Sequence, residues 1–138
     1  AMIQRGVQVR NQTVLLRGVN DSGQVLGELL SRLTRVGVVP YYVFQCRPVT
    51  GVKDRFQVPI EEGIRIVDAA KARQNGFGKS IRYAMSHPRG KIEILCRLPS
   101  GETVFKFHQS KDDADNARPF TRTLSPSDTW LDEELNGI

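Results

Sequence analysis

The stretch TVLLRGVNDSGQVLGELLSRLTRV, residues 13–36, decides the fold of this chain. Residues 13–19 begin with a short apolar run, which predicts a buried strand. Asp21 followed three residues later by Gln24 resembles the capping box that opens a helix. Apolar residues then recur at helical spacing up to Val36, and Gly37 is typical of a left-handed helix end. The stretch therefore predicts a strand followed by an amphipathic helix.

The next segment repeats this order of strand and helix. Residues 38–45 are rich in aromatic and β-branched residues, which favours a strand, and residues 46–58 predict a loop. Pro59 occupies a first helical position, and acidic residues in the first turn and basic residues in the last turn match a helix dipole. Strand–helix–strand–helix implies parallel strands joined by right-handed crossovers. Since two such units cannot cover both faces of a sheet, we expect them to belong to a larger barrel or sheet.

The last third of the chain has a different pattern. Residues 81–86 predict another strand, and alternating apolar residues on both sides of the loop 98–102 predict a β-hairpin. The tail from Ser110 onward is mostly polar. We expect it to pack as an extended arm anchored by three apolar residues, Phe120, Trp130 and Leu131.

Composition is that of one globular domain. The 138 residues are 39% hydrophobic and 25% charged, and no apolar run approaches the ~20 residues that span a bilayer. With no signal-peptide pattern either, we expect a cytoplasmic location and no membrane partner. Cys46 and Cys96 stand fifty residues apart, and the two histidines form no pair with metal-ligand spacing. We therefore predict reduced thiols and no metal site.

Three blocks carry a resemblance to a known family. NQTVLLRGVND (residues 11–21), PYYVFQC (40–46) and PIEEGIRI (59–66) are similar, in this order, to lysine 2,3-aminomutases, a family of radical S-adenosylmethionine (SAM) enzymes. The resemblance implies an α/β fold: the C-terminal part of a partial (β/α) barrel with two β–α units, followed by a β-hairpin and an extended polar tail. On this basis residues 3–80 are the last barrel units, 81–109 the cofactor-lysine loop and hairpin, and 110–138 a C-terminal arm. Ala1 and Met2 are interpreted as residues added ahead of the natural sequence.

The resemblance also implies an activity. Family members carry a [4Fe-4S] cluster on an upstream cysteine loop, cleave SAM to a radical, and move the amino group of an amino acid held by pyridoxal phosphate (PLP). The protein fixes the geometry while the cofactors carry the chemistry. Because the cysteine loop is absent from these residues, we expect the chain to be an inactive C-terminal fragment of an aminomutase, an isomerase. Structural zinc, found in some members, is not expected, since Ser22 stands at a ligand position.

Four residues are candidates for cofactor binding. Lys91 falls at the PLP lysine, although the family's glycine-rich loop is shorter here and contains Pro88; the alternative is an ordinary lysine at a strand start. Gln12 matches a position near SAM, the alternative being a strand-edge glutamine. Arg17 and Asn20 follow the same strand at the end where barrel sites collect. Arg17 serves either a cofactor anion or a structural ion pair.

Two substrate positions differ from those of lysine aminomutases. Where those enzymes hold the ε-ammonium of lysine with two aspartates, this chain has Arg47 and Ser86. An unpaired buried ammonium is costly, so free lysine is a poor substrate. Arg47 can pair with a carboxylate, which favours an acidic substrate such as glutamate. The alternative is that Arg47 is a solvent-exposed loop residue.

Other classes of function stay open. A radical SAM protein without PLP chemistry is one alternative. A nucleic-acid-binding module is the other, motivated by the net charge of +5, although the basic residues are scattered and we expect no nucleic-acid partner. We expect a homo-oligomer, because missing strands would leave an unpaired sheet edge and a half-covered apolar face.

Overall fold

The computed structural model describes residues 2–138 and contains one mixed sheet covered by helices. The interpretation of Ala1 as an added residue lies outside the described residues. The helices are α1 (Gly23–Arg35), α2 (Lys53–Phe56), α3 (Ile60–Ala72) and α4 (Gly76–Lys79). The strands are β1 (Val9–Leu15), β2 (Val38–Gln45), β3 (Arg82–His87), β4 (Gly90–Arg97), β5 (Glu102–Ser110) and β6 (Pro119–Thr123). None of the helices in residues 2–138 has the length and apolar character needed to cross a membrane.

The six strands lie in the sheet in the order of the sequence. Strands β1, β2 and β3 are parallel, whereas β4, β5 and β6 add to them as antiparallel neighbours. The predicted α/β class, the two parallel β–α units and the hairpin of β4 and β5 are therefore confirmed. The sheet is open, with β1 and β6 at its two edges in the described residues.

One face of the sheet carries the core. Helices α1 and α3 pack side by side on this face, where a Cβ on Gly23 would collide with Ala69, so glycine permits their close approach. Residues from both helices and alternate residues of the strands fill the layer, among them Leu26, Leu30, Val43, Ile60, Ile64, Val67, Tyr83, Met85, Ile92, Phe105 and Phe107. Strand residues of the opposite face alternate with these, and several are exposed: Gln12, Val14, Arg82, Ser86 and His108.

The first strand was predicted too late in the sequence. It spans Val9–Leu15 rather than residues 13–19, because the chain turns at Leu16. The Leu16 N–H donates to Oδ1 of Asn20 at 2.7 Å, and Nδ2 of Asn20 donates to the Val14 carbonyl at 2.9 Å. The Asn20 side chain therefore stabilises the turn that ends β1.

The predicted start of α1 was wrong by one residue. Ser22, not Asp21, is the N-cap, since its Oγ accepts from the Val25 N–H at 3.1 Å. Asp21 lies instead 3.6 Å from Nη1 of Arg17. The other end agrees with the prediction, because Gly37 has φ +80 after the helix.

Two segments contain more structure than predicted. The loop 46–58 includes the helix α2, whose turn is closed by the Phe56 N–H donating to the Val52 carbonyl at 2.9 Å. The tail is not only an extended arm, because β6 pairs with β5 and places Phe120 beside Phe105, with ring centroids 5.2 Å apart. The predicted anchors Trp130 and Leu131 are buried, and Phe120 is half-buried.

Candidate functional site

Most of the predicted site residues lie near the carboxyl ends of the parallel strands. Arg17 and Asn20 follow β1, Arg47 follows β2, and Ser86 is near the end of β3. Lys91 lies directly opposite Ser86 in the antiparallel ladder of β3 and β4. In open and closed parallel α/β sheets, this edge is the one where ligands bind.

Lys91 lies over two aromatic rings of the parallel strand β2, which is separated from β4 by β3 in the sheet. Its Nζ lies 4.6 Å from the ring centroid of Tyr42 and 5.5 Å from that of Phe44. The two rings are stacked, with centroids 5.0 Å apart, and the face of each ring attracts a cation. Burial, together with a hydrogen bond to Tyr41, raises the pKa of Tyr42 to about 12, so its hydroxyl stays protonated. The amine is thus held over the middle of the open face without a carboxylate partner in residues 2–138.

Arg47 and Ser86, the two predicted substrate residues, touch each other. The guanidinium donates from Nε and Nη2 to the carbonyl oxygen of Ser86, at 2.9 and 2.6 Å. Both residues are exposed. Because Ser86 also faces Lys91 in the ladder, the structure brings three of the predicted residues to one place.

A buried amide network fixes the backbone that carries Arg47. Nε2 of Gln57 donates to the Cys46 carbonyl at 2.8 Å, and Oε1 of Gln57 accepts from the Thr129 hydroxyl at 3.0 Å. Gln45 donates to the Thr129 carbonyl at 2.7 Å. Both glutamines are buried, and buried amides with several partners hold one orientation. The C-terminal tail thereby sets the direction in which the chain leaves β2.

His87 attaches the same tail to the end of β3. The Arg89 N–H donates to Nδ1 at 3.2 Å, so the ring proton is on Nε2, which faces the carbonyl oxygens of Leu131 and Asp132 at 3.2 and 3.1 Å. Burial lowers the pKa of His87 below its usual value. The neutral imidazole is therefore a structural link beside Ser86.

The remaining predicted residues have different surroundings. Gln12 is exposed on β1 and pairs with Tyr42 across the ladder, so it shares the face on which Lys91 lies. Arg17 forms a bidentate ion pair with Glu62, with both N–O distances 2.7 Å, and this pair raises the pKa of Arg17 and lowers that of Glu62. The Asn20 amide bonds to the backbone of the turn. Arg17 and Asn20 thus have protein partners, and their cofactor roles remain predictions.

The residues fit PLP better than they fit a metal. A primary amine without an ion-pair partner, beside flat aromatic rings, suits an aldehyde cofactor with a planar ring. By contrast, no group of three or more His, Cys, Asp or Glu side chains in residues 2–138 is arranged to hold a metal ion. Cys46 is buried, which raises the pKa of its thiol, and Cys96 is exposed. An iron–sulfur cluster does not fit the residues present here.

Sequence reasoning missed the pair of aromatic rings over which the Lys91 amine lies. Tyr42 and Phe44 were assigned to a strand on composition alone. Their spacing of two residues places both on one face, and Val43 between them belongs to the core. The alternation of buried and exposed residues along the strand could have placed both rings on the face away from the helices. It could not have identified the lysine that lies over them.

Comparison with known proteins identifies the family. A putative L-lysine 2,3-aminomutase of Aquifex aeolicus is 40% identical over 128 residues, which are 93% of this chain and 34% of that protein. The chain belongs to the lysine 2,3-aminomutase family. L-lysine 2,3-aminomutase of Clostridium subterminale is 40% identical over 72 residues, 52% of this chain and 17% of that enzyme. The Bacillus subtilis enzyme is 33% identical over 76 residues, 55% of this chain and 16% of that enzyme.

The similarity to lysine 2,3-aminomutases covers only part of each relative. The chain spans about one third of the Aquifex protein and about one sixth of the Clostridium and Bacillus enzymes. No family model matches the chain. The family resemblance inferred from residues 11–66 is therefore confirmed by relatives that are each longer than the chain.

Proposed function

We propose that this chain forms the C-terminal part of an amino acid 2,3-aminomutase, an isomerase that depends on radical SAM chemistry and PLP. The observation that carries the proposal is the position of Lys91, whose amine lies over Tyr42 and Phe44 and whose backbone pairs with that of Ser86. Bound PLP supplies the carbonyl group through which an amino group is held during its migration, and SAM with a [4Fe-4S] cluster supplies the radical. The cluster ligands belong to another part of the longer protein, so we expect the isolated chain to be inactive.

The residues of this chain have four tasks in the proposal. Lys91 holds PLP, and Gln12 on the same face of the sheet lies near SAM. The helices α1 and α3 cover one face of the sheet. In this proposal, the other face becomes the inside of a partial barrel in the longer protein. A closed interior excludes water, and reactive radicals require this exclusion. Tyr42 and Phe44 contribute by keeping the lysine on this inner face.

Arg47 and Ser86 define the proposed substrate class. Neither position has the aspartate that binds the ε-ammonium in the enzymes the sequence resembles. The Arg47 guanidinium uses Nε and Nη2 for the Ser86 carbonyl, which leaves Nη1 for a ligand. A positive group here favours an acidic side chain, so glutamate is the first candidate substrate and free lysine a poor one.

The natural protein that contains this chain, reconstituted anaerobically with iron and sulfide, tests the activity. We expect chromatography to find a β-amino acid formed from glutamate and not from lysine. Arg47→Asp should lower turnover of glutamate, and Arg47→Lys should retain part of it because one charge remains. Turnover of lysine but not glutamate would contradict the substrate class, and no migration with any amino acid would contradict the aminomutase.

The exposed edge and open face of the sheet are the basis of a proposed self-association of the isolated chain. β1 is an edge strand, and Val14 on the open face is 41% exposed. Strands that pair with this edge in the longer protein would cover it. We expect the isolated chain to self-associate through the same edge, and a strictly monomeric mass by light scattering at high concentration would contradict this.

A further inference from the structure

We propose that Lys91 and Lys111, with Ser86 and Gln109, form a binding site for an oxyanion. These side chains line a cavity of about 240 Å³ at the end of β3 and β5. The identity of the molecule that carries the oxyanion rests on the proposed function, whereas the anion site itself does not. Lys111 has no role in the predicted site and is the new residue.

The cavity contains positive charge without a compensating carboxylate. Two of its lining side chains are ammonium groups, and no aspartate or glutamate lines it. Lys111 is exposed and forms no salt bridge within residues 2–138. The two ammonium groups repel each other, so an anion bound between them lowers the electrostatic energy. The chemistry of the lining therefore selects an anion.

The nearest acidic residues along the chain are already engaged. Asp115 is buried and pairs with Arg89 at 2.7 Å and with Arg118 at 3.1 Å. A carboxylate oxygen of Asp112 accepts from the Ala114 N–H at 3.0 Å. Both oxygens of Asp115 and one oxygen of Asp112 are therefore occupied by partners within the chain. Lys111 also lines a separate cavity with Asp112, Asp115 and Glu133, but it forms no salt bridge with any of them, so its ammonium has no carboxylate partner within residues 2–138.

Backbone bonds hold the two lysines in a fixed relationship. The Lys111 N–H donates to the Arg89 carbonyl at 3.1 Å, and Lys91 pairs with Gln109 in the ladder of β4 and β5. Gly90 has φ +149, and a Cβ there would collide with the Gln109 carbonyl. Only glycine lets the turn approach β5 this closely. The cavity is thus formed by the fold and not by flexible side chains alone.

A third cation adjoins the cavity. Arg47 is bonded to the backbone of Ser86, whose residue lines the cavity. Three positive side chains, from the ends of β2, β4 and β5, therefore surround the Ser86 position. A carboxylate or a phosphate satisfies such a set through charge-assisted hydrogen bonds.

Two molecules in the proposed reaction carry a suitable oxyanion. One is the side-chain carboxylate of an acidic amino acid, and the other is the phosphate of PLP. Glutarate and inorganic phosphate separate these sources, because each presents one of the two groups without an amino group or an aldehyde. Their binding needs neither iron nor SAM, so the site is testable apart from the aminomutase activity.

The test is an NMR titration of the folded 138-residue chain with glutarate and, separately, with inorganic phosphate. We expect saturable shifts of the amides of Ser86, Gly90 and Gln109. Lys111→Ala should weaken binding about fivefold, the loss expected when one charged partner is removed from an exposed site. Lys79→Ala, an exposed lysine on α4 with the same change in net charge, should leave binding unchanged.

Each outcome of the titration has one meaning. Binding of glutarate alone assigns the site to the substrate carboxylate, and binding of phosphate that PLP displaces assigns it to the cofactor. No saturable shift with either anion overturns the site. Equal weakening in Lys111→Ala and Lys79→Ala also overturns it, because general attraction to a basic chain would then explain the shifts. Anion binding that persists in a protein without aminomutase activity would contradict only the proposed function.

Discussion

Arg47 donates two hydrogen bonds, at 2.9 and 2.6 Å, to the backbone carbonyl of Ser86. The contact joins the second residue after β2 to the end of β3, so it links two neighbouring strand ends. The sequence resemblance predicts that these two positions replace the substrate-binding aspartates of lysine aminomutases. One arginine therefore links the strand ends and also supplies the positive charge on which the proposed substrate class depends.

Removing this link should have a small effect on stability. For Arg47→Ala we expect the free energy of unfolding to fall by about 1 kcal/mol at most, since the guanidinium is exposed and water replaces part of the bond. Denaturant unfolding measures the change. Arg55→Ala removes another exposed arginine, on α2, and should have no effect. Equal losses in the two variants would contradict the assigned contact.

Gly63 should not tolerate a methyl group. A Cβ at this position of α3 would collide with the hydroxyl of Tyr83, which is buried and donates to Oε1 of Gln45. We expect Gly63→Ala to lower the free energy of unfolding by about 1–3 kcal/mol, the usual cost of overpacking. Gly76→Ala on α4 meets no atom within 4 Å and should be neutral or stabilising. A neutral Gly63→Ala in thermal unfolding would show that α3 does not approach β3 as described.

His87 should make stability depend on pH. Its folded pKa is lowered by burial, so the unfolded chain binds a proton more readily, and protonation of Nδ1 removes the hydrogen bond that this atom accepts from the Arg89 N–H. The stabilisation is present above the unfolded value of about 6.5 and is lost as the pH falls through the folded pKa. Thermal unfolding between pH 8 and 5 measures it. His87→Gln should flatten the dependence, whereas removal of the exposed His108 should leave it in place.

Glu62 should contribute to stability through Arg17. The lowered pKa of Glu62 means that its contribution is present above the unfolded value of about 4.3 and is lost as the pH falls through the folded value. Both side chains are partly exposed, so we expect Glu62→Gln to cost less than about 1 kcal/mol at pH 7 after screening. The difference from wild type should shrink as the pH falls from 7 to 3. A difference of equal size at both pH values would exclude the ion pair as its cause.

Periodicity predicted most of the fold because the buried residues follow it. The apolar stripe of α1 and the mixed composition of β2 each match one face packed against the core. Contacts between residues distant in sequence were not predictable in this way. The early end of β1 depends on the side chain of Asn20, and the pairing of β6 with β5 depends on stacking of Phe120 on Phe105.

The candidate site was predicted in part, and from the family resemblance rather than from periodicity. Lys91, Arg47 and Ser86 came from positions in a family pattern, and the fold brings them together through the ladder and one forked contact. Lys111 could not be inferred, because only the hairpin of β4 and β5 returns it to the turn before Lys91. In the sequence alone, nothing distinguishes Lys111 from the other scattered lysines.

Trapping of PLP on Lys91 tests the central claim most directly. The natural protein containing this chain is incubated with PLP, reduced with borohydride and digested with trypsin. We predict a labelled peptide Gly90–Arg97, uncleaved after Lys91, which is absent in a folded Lys91→Ala variant and retained in Lys106→Ala. Label on another lysine, or no label on a protein that still moves an amino group, would contradict the account.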